Sequence, residues 1–186
     1  MHVPIIAHGS VEHVLIIGGG DGGTLREAVK HPNVKITMIE LDKKVVEICK
    51  KYIHESSDGA FEDERTEIKF MNGVKFVQET VQKFDIVIVD STDPIGPGLA
   101  LFSYDFYKAC GNCLTEQGIL VTQSGVTFLQ EVGIRNSFKQ IDKIYRDSAI
   151  YITQVPTYSG GFMAFGWGSH SPKARKTQIK KIDRKS

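Results

Sequence analysis

The segment Asp90-Ser91-Thr92-Asp93-Pro94-Ile95-Gly96-Pro97 sets two carboxylates three residues apart, directly after the aliphatic run Ile86-Val87-Ile88-Val89. Pro94 biases Asp93 away from the helical region, so the segment reads as an extended acidic loop closed by Gly96 and Pro97. Such a loop can wrap a small cation; a ligand-free turn rich in Asp and Pro is the other reading of the same residues. A second acid-bearing segment, Gly18-Gly19-Gly20-Asp21-Gly22-Gly23, satisfies G-x-G-x-x-G through Gly18, Gly20 and Gly23 and follows Val14-Leu15-Ile16-Ile17. Alone this spacing is a weak sign of nucleotide binding. Glu40 stands about twenty residues further on, where a carboxylate bonds ribose hydroxyls in nucleotide-binding α/β folds. Asp21 is the informative departure. Beside a pyrophosphate it would face like charge in a poorly screened site, so the loop suits a cationic ligand. The alternatives are that Asp21 only caps the following helix and that Glu40 is a solvated strand end. Asp21, Glu40, Asp90 and Asp93 on neighbouring strand ends would line one cleft, focusing a negative potential that attracts cations.

Those residues need a frame that gathers strand ends. Residues 14–17, 34–41, 67–71, 85–89 and 118–123 read as strands, and 24–30, 43–52, 74–81, 103–114 and 128–145 as helices. Residues 56–64 are polar and glycine-containing and read as a loop. Residues 150–155 and 161–167 read as a closing antiparallel pair. Strands alternating with helices imply a doubly wound α/β sheet, mostly parallel, with an antiparallel edge strand. Ligands bind at the carboxyl ends of the strands in such sheets. The expected division is a binding and catalytic domain over residues 1–170 and a basic tail over 171–186.

Composition narrows the function classes. The chain has 186 residues and a formal net charge of +1, which gives no bias toward nucleic acid. The exception is local: from Lys173 onward seven Lys or Arg face one acid, Asp183; a solvated end is the plain reading. Three cysteines do not suggest a disulfide framework. No apolar run approaches the roughly 20 residues of a membrane span, and Met1-His2-Val3-Pro4 lacks the blocks of a signal peptide. A reducing, cytoplasmic setting is expected. Cys110-Gly111-Asn112-Cys113 fits C-x-x-C, but no second pair exists for zinc, so buried thiols at a helix end are expected. The histidines show no metal-ligand spacing. Phe102, Tyr104, Phe106 and Tyr107 read mostly as core, with one of them a candidate to touch a base.

GGGDGGTLRE, IELD, DSTDPIGP and VPTYSGG, in that order, resemble the spermidine synthases, the polyamine aminopropyltransferases. The resemblance runs from about His2 to Ser169, and the pair GGGDGG and DSTDPIGP is its specific part. It implies a Rossmann-like, methyltransferase-type fold. It implies transfer of an aminopropyl group from decarboxylated S-adenosylmethionine, the co-substrate, to putrescine, giving spermidine and 5′-methylthioadenosine without a metal. By position, Asp90 matches the catalytic base and also touches the diamine. Asp93 matches a carboxylate that holds the diamine, and Asp21 the carboxylate that binds the aminopropyl amine. Glu40 matches the ribose ligand, and Gly18 and Gly20 belong to the glycine loop that binds the nucleoside. Asn72 and Gly73 match the adenine contact, where many members carry Asp instead of Asn72. Pro97 matches a loop residue near the adenosine. Tyr158 matches an aromatic residue beside the polyamine, with Gln123 close to the same region.

The family normally opens with a small β-domain that helps form a homo-oligomer, a dimer or tetramer. That domain supplies a Gln and a Tyr-His-Glu segment to the diamine site. This chain starts after both and reads as truncated at both ends, so the adenosine half-site is expected to be more complete than the diamine half-site. Two other readings remain at this point: an amine N-methyltransferase using intact S-adenosylmethionine, which Asp21 disfavours, and a non-catalytic binding or assembly form.

Overall fold

The aliphatic runs form the middle of one sheet. A computed structural model describes residues 1–91, 96–172 and 175. Its strands are β1 (His13–Gly18), β2 (Lys35–Glu40), β3 (Thr66–Phe70), β4 (Phe84–Asp90), β5 (Leu114–Val126), β6 (Asp147–Gln154) and β7 (Phe162–Ser169). They lie in the order β3-β2-β1-β4-β5-β7-β6. β1 to β5 are parallel to their neighbours, β7 runs antiparallel to β5, and β6 antiparallel to β7. Val14, Leu15, Ile16, Ile86 and Val87 are fully buried, as strands covered on both faces must be.

Two helical layers supply the cover. α1 (His2–His8), α2 (Gly23–Val29) and α3 (Lys43–Tyr52) press Ile5, Leu25, Ala28 and Val46 onto Val14, Ile16, Met38, Ile86 and Ile88. α5 (Gly73–Glu79), α6 (Tyr104–Cys113) and α7 (Glu131–Asp142), which follow the short α4 (His54–Ser57), press Phe76, Phe106, Tyr107, Cys110 and Ile141 onto Leu15, Ile17, Val87 and Val89. Even and odd positions of each strand thus feed different cores, as the pleat requires. The chain leaves β1 toward β3 and returns at β4 toward β5, so the strand order reverses between β1 and β4. A crevice opens at the carboxyl ends of the strands at such a reversal. Among the described residues, no helix is long and apolar enough to cross a membrane.

The sequence expectations differ from the structure in four places. Residues 2–8 form a helix that the sequence reading did not assign; it ends at Gly9, whose φ of 80° makes a left-handed cap. The expected loop 56–64 contains the end of α4 and a 3-10 turn at Ala60–Glu62, which drives Ala60 and Phe61 into the core. The strand expected over 118–123 spans Leu114–Val126, because β5 pairs with β4 on one side and β7 on the other. The helix expected over 128–145 is confined to Glu131–Asp142. Most of the basic tail, residues 173–174 and 176–186, lies outside the described residues.

Arg65 fastens the start of β3 to the end of α2. Its guanidinium donates to the carbonyls of His31 at 2.7 Å and Val29 at 2.8 Å while pairing with Asp63. A cation there meets the carbonyl end of the helix and a fork geometry that lysine lacks. Arg65→Lys should lower stability by roughly 1–3 kcal/mol. Urea unfolding checks this through a lower midpoint at an unchanged slope; an unchanged midpoint would deny Arg65 that role.

Candidate active site

The site begins with a close approach of two backbones. Gly18 ends β1 opposite Asp90, which ends β4. Gly18 has a φ of 86°, and a Cβ there would lie 2.1 Å from the Asp90 carbonyl oxygen. Gly19 N–H donates to that same carbonyl at 2.9 Å. Only glycine permits this contact. The contact places the glycine loop against the start of the acidic segment.

Glu40 comes in from β2. A Cβ on Gly20 would lie 2.8 Å from Glu40 Oε2, so the bare backbone of Gly20 makes room for that carboxylate. The other oxygen, Glu40 Oε1, accepts the N–H of Asp42 at 3.0 Å, which fixes the side chain. Asn72 follows β3 and caps α5: its Oδ1 accepts from Val74 N–H at 2.8 Å and Lys75 N–H at 3.2 Å. Its carbonyl oxygen is therefore committed, and only the amide N–H₂ remains to meet a ligand, as a donor.

Gly18, Gly20, Glu40, Asn72, Gly73 and Asp90 line one cavity of about 370 Å³, with apolar walls from Ile39, Val45, Val74 and Leu101. None of Phe102, Tyr104, Phe106 or Tyr107 is among its lining residues; Phe106 and Tyr107 are fully buried core, and Leu101 takes the wall position instead. A second cavity, of about 350 Å³, opens on the other side of Asp90 and is lined by Thr24, Gln123, Tyr151, Tyr158 and Phe165, with the start of α1 beside them. Among the described residues, Asp90 is the one common to the two linings.

The Asp90 carboxyl is largely buried. Burial pushes its pKa up from the usual carboxylate value; the Thr24 hydroxyl, donating to Oδ2 at 2.5 Å, pulls it back, and the charge of Asp21 pushes it up again. The Met1 ammonium is close enough to act on Asp90 as well.

Asp21 is placed differently from its neighbours. It is exposed, accepts a hydrogen bond from Ser56 at 3.0 Å, and lines neither cavity. Its charge nevertheless reaches Asp90. The residue before α2 is Gly22, and Asp21 bonds to Ser56 rather than to the backbone of that helix. Asp93 lies outside the described residues, and Pro97 falls in a 3-10 segment, Gly96–Phe102.

Sequence reasoning missed two residues here. The Ser91 hydroxyl is buried at the first cavity with no partner among the described residues; it lay within the quoted motif but had no spacing to mark it. Tyr151 lines the second cavity from β6, and strand alternation was its sole available signal. The paired thiols are inert core: Cys113 donates to the Cys110 carbonyl at 3.1 Å, and burial raises both pKa values, that of Cys113 to about 11. Among the described residues, no group of three or more His, Cys, Asp or Glu could hold a metal ion.

Comparison with known proteins bears on this arrangement. A sequence model of the family described as "Spermine/spermidine synthase domain" matches residues 1–179, past the limit near Ser169 that the motifs alone mark. A polyamine aminopropyltransferase of Ruegeria sp. (strain TM1040) is 49% identical over 98% of this chain and 64% of its own length. A polyamine aminopropyltransferase of Sodalis glossinidius (strain morsitans) is 50% identical over 94% of this chain and 61% of its own length. The chain thus spans under two thirds of the length of these curated relatives. Among solved structures, a spermidine synthase crystallised with the transition state analogue AdoDATO superposes with a TM-score of 0.89 at 37% identity, over 94% of this chain and 60% of that one. The spermidine synthase of Thermotoga maritima superposes with a TM-score of 0.84 at 34% identity, over 94% of this chain and 58% of that one. A seven-stranded, mostly parallel sheet with antiparallel edge strands, the shared motifs and this coverage together place the chain in the spermine/spermidine synthase family.

Proposed function

We propose that the chain carries out, or carries the central part of, aminopropyl transfer from decarboxylated S-adenosylmethionine to putrescine. The observation that carries this reading is the position of Asp90 as the common wall of two cavities, one suited to a nucleoside and one to an amine. The nucleoside would lie with its sulfonium toward Asp90, its ribose at Glu40 and its base at Asn72, the order in which β4, β1, β2 and β3 present their ends. The amine would lie along Gln123 and Tyr158.

In this reading the attacking group is a primary amine, which has a pKa near that of lysine, about 10.4, and is mostly protonated near neutrality. Asp90 takes the proton as the nitrogen lone pair attacks the aminopropyl carbon bound to sulfur. The new C–N bond forms, the C–S bond breaks with its electron pair going to sulfur, and a neutral thioether leaves. A carboxylate with a raised pKa is better matched to accept that proton than an ordinary one. Holding donor and acceptor in line supplies much of the remaining acceleration. Sulfur already carries the positive charge, so the chemistry asks for no metal.

Asp21 contributes a negative charge near the sulfonium end. It would favour a substrate whose side chain ends in an ammonium and disfavour intact S-adenosylmethionine, which adds a carboxylate. The three cysteines are free and buried, which suits a reducing cytoplasmic setting. In the complete family form we expect a homo-oligomer.

Three measurements test the reading. Turnover is followed with decarboxylated S-adenosylmethionine and putrescine. Asp90→Asn should reduce it by about 10²–10⁴-fold, the usual worth of a general base, while calorimetric binding of 5′-methylthioadenosine is unchanged; retained turnover removes Asp90 from the role. The same variant should melt at a higher temperature at neutral pH. A carboxyl whose folded pKa is raised stabilises the fold below its unfolded pKa, and that contribution is lost as pH rises through the folded pKa. The gain in Asp90→Asn should therefore vanish in acid, and a gain that persists there would contradict a buried, charged Asp90. Glu40→Gln should weaken 5′-methylthioadenosine about tenfold or more, the effect of losing a charge-assisted hydrogen bond, and leave putrescine binding as it was. Equal loss of both ligands would refute the assignment of Glu40 to the nucleoside cavity.

A further inference from the structure

The second cavity ends in a polar group that nothing so far has used. Gln123 pairs with Phe165, and Phe165 pairs with Tyr151, across three adjacent strands. Asp90 stands one residue beyond the Val89–Thr122 pair of β4 and β5. Asp90, Gln123, Phe165 and Tyr151 therefore form a row across the carboxyl edge of the sheet. Directly opposed residues share a face, and the row lies on the face whose core contains Ile88, Val121 and Trp167. Three strand spacings separate its ends, about 14 Å between α-carbons. All four residues line the second cavity; between the ends stand the Gln123 side chain and the Phe165 ring, with Val121 and Met163 adding apolar wall.

Tyr151 is held firmly. Its ring stacks on Phe165, centroids 5.4 Å apart and planes at 17°, and meets Trp167 edge-on at 6.4 Å. Its hydroxyl has no hydrogen-bond partner among the described residues. Burial raises the phenol's pKa further above its ordinary value, so it meets a ligand as a neutral hydroxyl. The residue is part-buried and its hydroxyl is left free to meet a polar group entering the cavity in place of water.

Building on the function proposed above, we infer that the Tyr151 hydroxyl is the far anchor of the amine cavity, accepting a hydrogen bond from the distal ammonium of the diamine whose near nitrogen lies at Asp90. A carboxylate at one end, apolar wall from Val121, Met163 and Phe165 beside Gln123, and a fixed hydroxyl at the other end match a chain of methylenes carrying an ammonium at each end. The separation of the two polar ends then selects for the length of the acceptor.

The test titrates putrescine and n-butylamine, which lacks the distal ammonium, into protein saturated with 5′-methylthioadenosine. Tyr151→Phe keeps the ring stacked on Phe165, and an unchanged melting temperature confirms an intact fold. The variant should bind putrescine about tenfold more weakly, the effect of removing a hydrogen bond to a charged group, and bind n-butylamine as the unaltered protein does. Equal weakening of both amines, or of neither, overturns the inference while leaving aminopropyl transfer in place. If the unaltered protein with 5′-methylthioadenosine bound takes up no putrescine, the functional reading fails and the anchor fails with it.

Discussion

Two backbones touching at Gly18 and Asp90 determine the rest of the site. The Asp90 carbonyl takes the Gly19 N–H and occupies the space where a side chain on Gly18 would be. With any larger residue there, β1 and β4 could not end side by side, and the crevice at the reversal of strand order would open differently. Because they do, one carboxylate borders a cavity of about 370 Å³ and a second of about 350 Å³. The other candidate residues are arranged outward from that contact, Glu40 and Asn72 toward β3, Gln123 and Tyr151 toward β6.

Much of this was legible in the sequence, for reasons that differ from residue to residue. Val14–Ile17 and Ile86–Val89 are uninterrupted aliphatic runs, and such runs have few places to go other than the centre of a two-sided sheet. The glycine loop and the acidic segment were legible because glycine and proline constrain the backbone locally, whatever surrounds them. The first helix was not, because its seven residues carry little intrinsic preference and owe their helicity to Ile5 packing against the sheet. The segment around Ala60 and Phe61 reads as polar in composition, yet it inserts one aromatic ring beneath the glycine loop. That same stretch provides Ser56, which holds Asp21. A residue's neighbours across the fold leave no mark in its own sequence window. Tyr151 shows this most clearly, since its significance lies in the row it shares with three other strands.

The electrostatic picture drawn from the sequence was a ring of acids around one hollow. The described residues give a less symmetrical version. Asp90 and Glu40 face the first cavity, whereas Asp21 is turned to Ser56 and acts at a distance. An exposed carboxylate is screened by water and salt, and a buried one much less, so Asp90 and Glu40 act on the crevice with less screening than Asp21. Asp90 combines partial burial with a carboxylate's ordinary need for water. That combination is costly for the fold and useful for moving a proton, a common trade at reactive groups.

A wall shared by two chambers couples their occupants. On the proposed reading, a sulfonium in the first chamber satisfies with its positive charge part of the attraction that draws an ammonium into the second. On that reading, once the aminopropyl group has moved the remaining nucleoside is an uncharged thioether, and when Asp90 has passed on the proton it took, its full pull returns to the amine side. A fresh diamine would then settle before the spent nucleoside departs, producing a stalled complex of acceptor and by-product. On the proposed reading, an excess of acceptor would slow the catalyst it feeds, an inhibition that follows from a single carboxylate serving two rooms.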